Sequence, residues 1–285
     1  MSIATEVLYP IPSHLLPIPA HLDLTPLMRD DKFIHVNARE SGNIETVKTA
    51  WRIHAEGYHA MGFVNRDAIT PEGFLAADID KSRGENTDYY IAVNAEDVTD
   101  CATMRKVSLP AGGSYRDLPT YKMCKDSFSE EGLSLLAGIE HQDTRLKEIS
   151  ALARTVNGSP LGIHEIFRDL VQAALGKHEI WFSAVVSSTH GCLVKSYGRD
   201  NFPTIGRDTA IDDDRVGDGI ALTPILIDVD RWVDVLLEAY LSAEDIVGKT
   251  RARKSLMFFT DGLQNSLMSQ QVIDVRRQLL RGQAA

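Results

Sequence analysis

Cysteine is scarce: Cys101, Cys124 and Cys192 are the only three in 285 residues. An odd, widely spaced set predicts neither a disulfide framework nor a CxxC zinc site, and it suits a reducing cytoplasm, the expected location. Long apolar runs are missing as well. None reaches the roughly 20 residues that span a bilayer. The stretch Met1 to Ala20 lacks a basic n-region and holds four prolines, so no signal peptide is expected there. Positive charge is in deficit. Thirty Lys and Arg face forty Asp and Glu, giving a net charge of −10. That balance argues against a general nucleic-acid coat while leaving room for one local basic patch. HExxH, GxSxG, P-loop and GxGxxG signatures are absent, and no metal site is expected.

What is present is globular: 44% hydrophobic and 25% charged residues exclude wholesale disorder and collagen-like readings. The length fits two domains, or one α/β body with added arms. Pro10, Pro12, Pro17, Pro19 and Pro26 make residues 1–31 an irregular arm, because proline blocks helix and central strand alike. The body is expected over 32–241 and a helical extension over 242–285.

Within the body, Lys32–Asn37 reads as a strand. Asn43–Met61 reads as a helix with Asn43 as N-cap, a 3.6-period stripe through Ala50, Trp51, His54 and Tyr58, and Gly62 as its stop. Tyr89–Val93 and Ala102–Val107 form a hairpin. Pro110–Phe128 reads as a surface loop rich in Gly and Pro. Leu146–Val156 is a strand, and residues 160–175 are a helix opened by Pro160. Ile180–Val186, dense in β-branched and aromatic residues, is a buried strand. Ser188–Tyr197 is a helix, Ala221–Val229 a strand and Arg231–Tyr240 a helix. In the tail, Leu263, Leu267, Val275 and Leu279 fall close to one helical face. The order predicts a mixed α/β sheet in which Leu146–Val156 and Ile180–Val186 run parallel.

That order is the one used by the GCN5-related N-acyltransferase (GNAT) fold. Several segments sharpen the likeness. Trp51-Arg52 with Tyr58 and Gly62-Phe63 resembles the first helix of the acyl-homoserine-lactone synthases and the related N-acyl amino acid synthases. Asp78-Ile-Asp80 ahead of Tyr89-Tyr90 resembles their acidic loop. Cys101 to Pro110, with Arg105 and Leu109-Pro110, is similar to their strand ending in an arginine and a Leu-Pro turn. Lys147-Glu148-Ile149-Ser150 resembles their Glu-x-Ser strand. Tyr197 to Phe202 resembles a late Tyr-x-x-x-x-Phe segment of the fold. Together these cover about residues 33–230. The lactone synthases carry an arginine directly after Glu-x-Ser, where this chain has Ala151. Arg154 follows three residues later and, at period 2, is expected on the opposite face. The departure leans the reading toward the N-acyl amino acid branch. Asn157-Gly158-Ser-Pro-Leu-Gly162 stands where coenzyme A acetyltransferases keep a phosphate-cradling loop. Pro160 removes one amide there, but a helix N-terminus still offers others.

The resemblance implies transfer of a fatty acyl group from acyl carrier protein, or second from acyl-CoA, to the amine of an amino acid or similar small acceptor. No bound cofactor is implied. Such chemistry needs a base, amide donors at the carbonyl oxygen and an apolar slot. Glu148 is the candidate base, on a half-buried strand, and Ser150 lies on the same face. Tyr197 is the candidate acid for the leaving thiolate. Arg105 suits an acceptor carboxylate, and Asp78 and Asp80 suit its ammonium. Trp51, Arg52, Tyr58, Phe63 and Trp181 are further substrate-binding candidates, and Asn157, Gly158 and Gly162 would meet the donor's phosphopantetheine. Arg251, Arg253 and Lys254, with Arg199 in a competing patch, would dock an acidic carrier protein. Each residue also has a plain structural reading: strand glutamate, surface ion pair, core aromatic or solvated helix face. His164-Glu165 and His178-Glu179 read as surface pairs. A lactone synthase, or a silent relative that only binds acyl chains or a partner, are the alternative functions.

Overall fold

The computed structural model describes residues 33–75, 86–97, 99–109, 112–140, 146–156, 158, 161–211 and 219–281. The proline-rich arm, Asp78, Asp80, Asn157 and Pro160 lie outside the described residues. The elements run β1 (Phe33–Asn37), α1 (Ile44–Ala60), β2 (Thr87–Asn94), β3 (Cys101–Ser108), α2 (Pro119–Cys124), α3 (Glu130–Glu140), β4 (Leu146–Arg154), α4 (Leu161–Ala174), β5 (Ile180–Val186), α5 (Ser187–Tyr197), β6 (Thr209–Ala210), β7 (Ala221–Asp228), α6 (Trp232–Ser242), α7 (Ile246–Thr260) and α8 (Gln270–Arg281).

The strands form one mixed sheet in the order β1-β2-β3-β4-β5-β7-β6. β4 and β5 are parallel; the other neighbours are antiparallel. Side chains alternate between its faces. On β5, Trp181 enters a core with α4, α6 and α7, built around Phe167, Tyr197, Trp232 and Phe259. Its neighbour Phe182 enters a second core with Leu118, Leu136 and Leu146. A third cluster fixes α1 on β2 through Ile53, Tyr89 and Ile91. The sheet is thus covered on both faces, which accounts for the apolar density of β5.

Local signals place most elements. The Asn43 side chain accepts from the Glu45 amide and caps α1, and Gly62 follows in the left-handed region at φ 72°. Three expectations need correction. The surface loop over Pro110–Phe128 contains a 3₁₀ turn at Tyr115–Asp117 and helix α2, with Tyr115, Leu118, Thr120 and Cys124 buried. Pro119 opens α2 in the first-turn position that proline tolerates. Helix α3 was not expected, because Gly132 and Gly138 weaken its helical signal. A Cβ at Gly132 would lie 2.1 Å from the Ile205 carbonyl oxygen, so this glycine serves close packing. The extension is helical as expected, but Leu263, Leu267, Val275 and Leu279 do not share one helix, because a 3₁₀ turn at Asn265–Leu267 separates α7 from α8. Phe259, Leu263 and Val272 place both in the principal core. No helix among the described residues is long and apolar enough to cross a membrane.

Candidate active site

One feature of β4 organises the site. Across the β3–β4 ladder, Thr103 faces Ala153 while Arg105 faces Ser150, so β4 carries an extra residue. Ala151 absorbs it at φ 55°, a conformation costly for a residue with a Cβ. The bulge bends β4 away from β5. Their parallel pairing therefore ends at Glu148–Phe182. Beyond it the Ser183 hydroxyl donates to the Ile149 carbonyl at 2.7 Å, and the strands separate.

A cavity of about 570 Å³ fills the separation. Its wall comes from both helical layers, so the space passes through the sheet. Tyr58, Phe63, Thr120 and Met123 border it from the side of α1 and α2; Ile163, His164, Phe167, Leu193 and Tyr197 border it from the side of α4 and α5. Most of the wall is apolar, as expected of a site for an aliphatic chain.

Polar groups cluster in two places. On the α2 side, Glu148 is 0% exposed. Its Oε2 accepts from the Thr120 amide at 2.8 Å, and its Oε1 accepts from the Ser150 hydroxyl at 2.9 Å. Arg105 donates from Nε to the Ser150 oxygen at 3.0 Å, and its Nη2 lies 3.7 Å from Glu148 Oε1. The arrangement holds a buried carboxylate with two donors and an adjacent cation, the condition under which burial of charge is tolerated. Arg105, Ser150 and Thr120 line the cavity; Glu148 stands behind them. The Thr120 hydroxyl is buried and has no hydrogen-bond partner among the described residues. A polar atom of this kind on a cavity wall is available to an incoming polar group.

On the opposite side, the Tyr197 hydroxyl is hydrogen-bonded to Nδ1 of His164. Burial alone holds the His164 pKa below its ordinary value and pushes that of Tyr197 above the usual phenol range. His164 is therefore no surface residue. It follows Ile163 and precedes Phe167 by three, so it sits on the apolar stripe of α4; that spacing was the available signal. Glu165 is buried and paired with Arg168, and Glu179 accepts from Lys106 and from Trp181 Nε1, which also corrects the surface reading of these two acids.

The other expected site residues divide. Tyr58 and Phe63 border the cavity. Trp51 packs edge-on against Phe74 and Tyr89, Arg52 lies over the Phe74 ring, and Trp181 is core; none of the three borders the cavity. Arg154 lines the cavity together with Ala151 rather than facing away, because the bulge breaks the period-2 count between them. Its guanidinium donates to the Gly158 carbonyl, three residues ahead of the start of α4. The chain's own packing accounts for two glycines. A Cβ at Gly158 would meet Thr155 and Asp100, and one at Gly162 would meet Ala102 and Phe33. Arg251, Arg253 and Lys254 lie on α7, with Arg251 and Lys254 exposed. Arg251 Nη1 reaches the Lys195 carbonyl at 3.5 Å, so this basic run adjoins the end of α5, and exposed Arg199 follows close behind in sequence.

A mixed sheet, a bulged central strand and a cavity at the splay of two parallel strands define a GNAT-like fold, and this chain has it. The solved structure of FeeM, an N-acyl amino acid synthase from uncultured soil microbes, is similar over 74% of this chain and 99% of its own, with 17% identity and a TM-score of 0.51. Weaker likenesses reach MesI, a CoA-dependent acyl-homoserine lactone synthase (12% identity, 84% of this chain and 100% of its own, TM-score 0.45). They also reach an acyl-CoA N-acyltransferase from Pseudomonas aeruginosa (12% identity, 68% and 97%, TM-score 0.37). No protein-family model and no curated protein sequence matches the chain.

Proposed function

We propose that this chain is an N-acyltransferase that moves a fatty acyl group from acyl carrier protein, or second from acyl-CoA, to the amine of an amino acid or similar small acceptor. The observation that carries the reading is the cavity. It is apolar along most of its wall, opens where β4 and β5 part, and has a cationic polar corner at Arg105, Ser150 and Thr120. An aliphatic chain gains by leaving water for such a wall. An acceptor carboxylate gains charge-assisted hydrogen bonds from a guanidinium.

In this reading the acceptor nitrogen attacks the thioester carbon at the splay. The C–N bond forms and the C–S bond breaks. The nitrogen's proton passes through the Ser150 hydroxyl to Glu148, which reaches the cavity by that route. Tyr197 gives its proton to the leaving sulfur. Backbone groups of β4 and β5 that face the gap instead of a neighbouring strand are suited to the carbonyl oxygen. The basic run on α7 docks the acidic carrier protein.

The test is direct. Purified protein is incubated with acyl carrier protein and coenzyme A thioesters of several chain lengths and a mixture of amino acids, and products are read by mass spectrometry. An amide of one amino acid is the expected result. A lactone, or no transfer from any donor, sinks the reading.

A further inference from the structure

The contact between Tyr197 and His164 has a consequence for the acid half of this chemistry. Both side chains border the cavity, and the phenol oxygen lies within hydrogen-bond reach of Nδ1. No other hydrogen bond of the Tyr197 oxygen is found among the described residues. The phenol ring itself is locked by Phe167, Phe202, Trp232 and Phe259. A tyrosine in that setting can donate in either of two directions. If it donates to His164, its proton is turned away from the substrate. If His164 donates Nδ1–H to it, the hydroxyl proton is free for the cavity.

We infer that His164 is a positioning residue that acts through Tyr197: as the Nδ1–H tautomer it aims the phenol proton at the leaving sulfur and then holds the phenolate. The inference rests on the acyl-transfer reading above. The proton balance closes. The acceptor nitrogen's proton goes to Glu148 by way of Ser150, and the Tyr197 proton goes to the sulfur. After product release, water carries the proton from Glu148 back to the phenolate. The sum is one proton moved from nitrogen to sulfur, and His164 stays neutral throughout.

The energetics explain why such a partner is required. An ordinary phenol, with a pKa of about 10, is already a weaker acid than a thiol at about 8.5. Burial makes the Tyr197 phenolate still less favourable. A neutral N–H donor aimed at that oxygen offsets part of the cost, and burial disfavours the charged form of His164. The other titratable side chains on the cavity wall are His54 and Tyr58 from α1, Arg105 from β3, Lys122 from α2 and Arg154 from β4. On α4 itself, Glu165 and Arg168 are occupied with each other.

The test compares wild type, His164→Gln and Tyr197→Phe on two thioesters of one acyl chain. One has an alkyl thiol leaving group and the other an acidic aryl thiol that needs no proton to depart. For both variants kcat on the alkyl thioester should fall on the order of a hundredfold, with KM for the acceptor within about threefold and aryl thioester turnover largely kept. His164→Asn, with a shorter amide, serves as a second variant, and melting curves verify folding. Equal loss on both thioesters means that His164 merely packs the site, and it overturns the inference; so does an unchanged alkyl rate. A wild type that transfers from neither thioester overturns the acyl-transfer reading and this one with it. Nitrogen NMR of labelled His164 gives an independent check, since an Nε2–H tautomer in the resting protein contradicts the assignment.

Discussion

Glu148→Gln is the most informative single substitution, because it keeps side-chain volume and removes only the charge. In the native arrangement the carboxylate accepts from the Thr120 amide and the Ser150 hydroxyl and faces Arg105. A glutamine can still accept from Thr120 with its oxygen. Its amide nitrogen then points at Ser150 and Arg105, both of which donate in the native network. The guanidinium is left buried beside a donor. Breaking a buried ion pair by removing one partner costs about 3–5 kcal/mol. The surviving Thr120 bond and the Ser150 bond to Arg105 put this case at the lower end, about 3 kcal/mol. For a chain of this size, each kcal/mol moves Tm by about 2–4 °C, so Tm should fall by about 6–12 °C. Urea unfolding followed by circular dichroism measures the loss directly. Adding Arg105→Met should recover part of it, about 1–2 kcal/mol by a double-mutant cycle, because the orphaned charge is removed. Well below the lowered Tm, kcat should drop on the order of a hundredfold while donor KM holds, since Glu148 stands behind the cavity wall. A stability loss under about 1 kcal/mol, or no coupling to Arg105, would refute the view that this network is a paired buried charge.

The remaining expectations test the bulge, the histidine and the basic run. Ala151→Val puts a β-branched side chain at φ 55° and should cost about 2 kcal/mol in urea unfolding, whereas Ala151→Gly should cost nothing; equal effects would mean that the left-handed geometry is not enforced. Burial lowers the His164 pKa, so the unfolded chain takes up that proton first as pH falls. The His164 contribution to stability is therefore fully present above its unfolded value of about 6.5 and declines as pH drops toward the folded value. His164→Gln should flatten that part of the curve of urea midpoint against pH, and an unchanged slope contradicts the assignment. Reversing Arg251, Arg253 and Lys254 to glutamate should raise KM for carrier-bound donor about tenfold and leave acyl-CoA turnover alone; no change removes the docking proposal.

The fold was legible where local chemistry and burial agree. Asn43 and Gly62 bound α1, Gly176 follows α4, and the apolar run Ile180–Val186 is a strand with identical ends in sequence and structure. These signals are short-range: a cap, a left-handed stop, a residue type suited to a sheet buried on both faces. The chain also determines by itself its acidic balance, its scarce thiols and the one basic run on α7. Helix α3 escaped because Gly132, a helix-weakening residue, is required by a carbonyl 73 residues further along the chain. Only the tertiary structure decided the site. The extra residue in β4 is invisible in an alternation pattern, yet it ends the β4–β5 ladder, opens the cavity and turns Arg154 onto its wall. Glu148 and Ser150 were neighbours in sequence, but Arg105 and Thr120 reach them only through sheet pairing and the packing of α2. The Tyr197–His164 pair joins two helices 33 residues apart, and no local rule connects them. Periodicity reports which face a residue occupies. What stands opposite it is set by long-range packing, and in this protein the candidate chemistry lies in those opposed pairs.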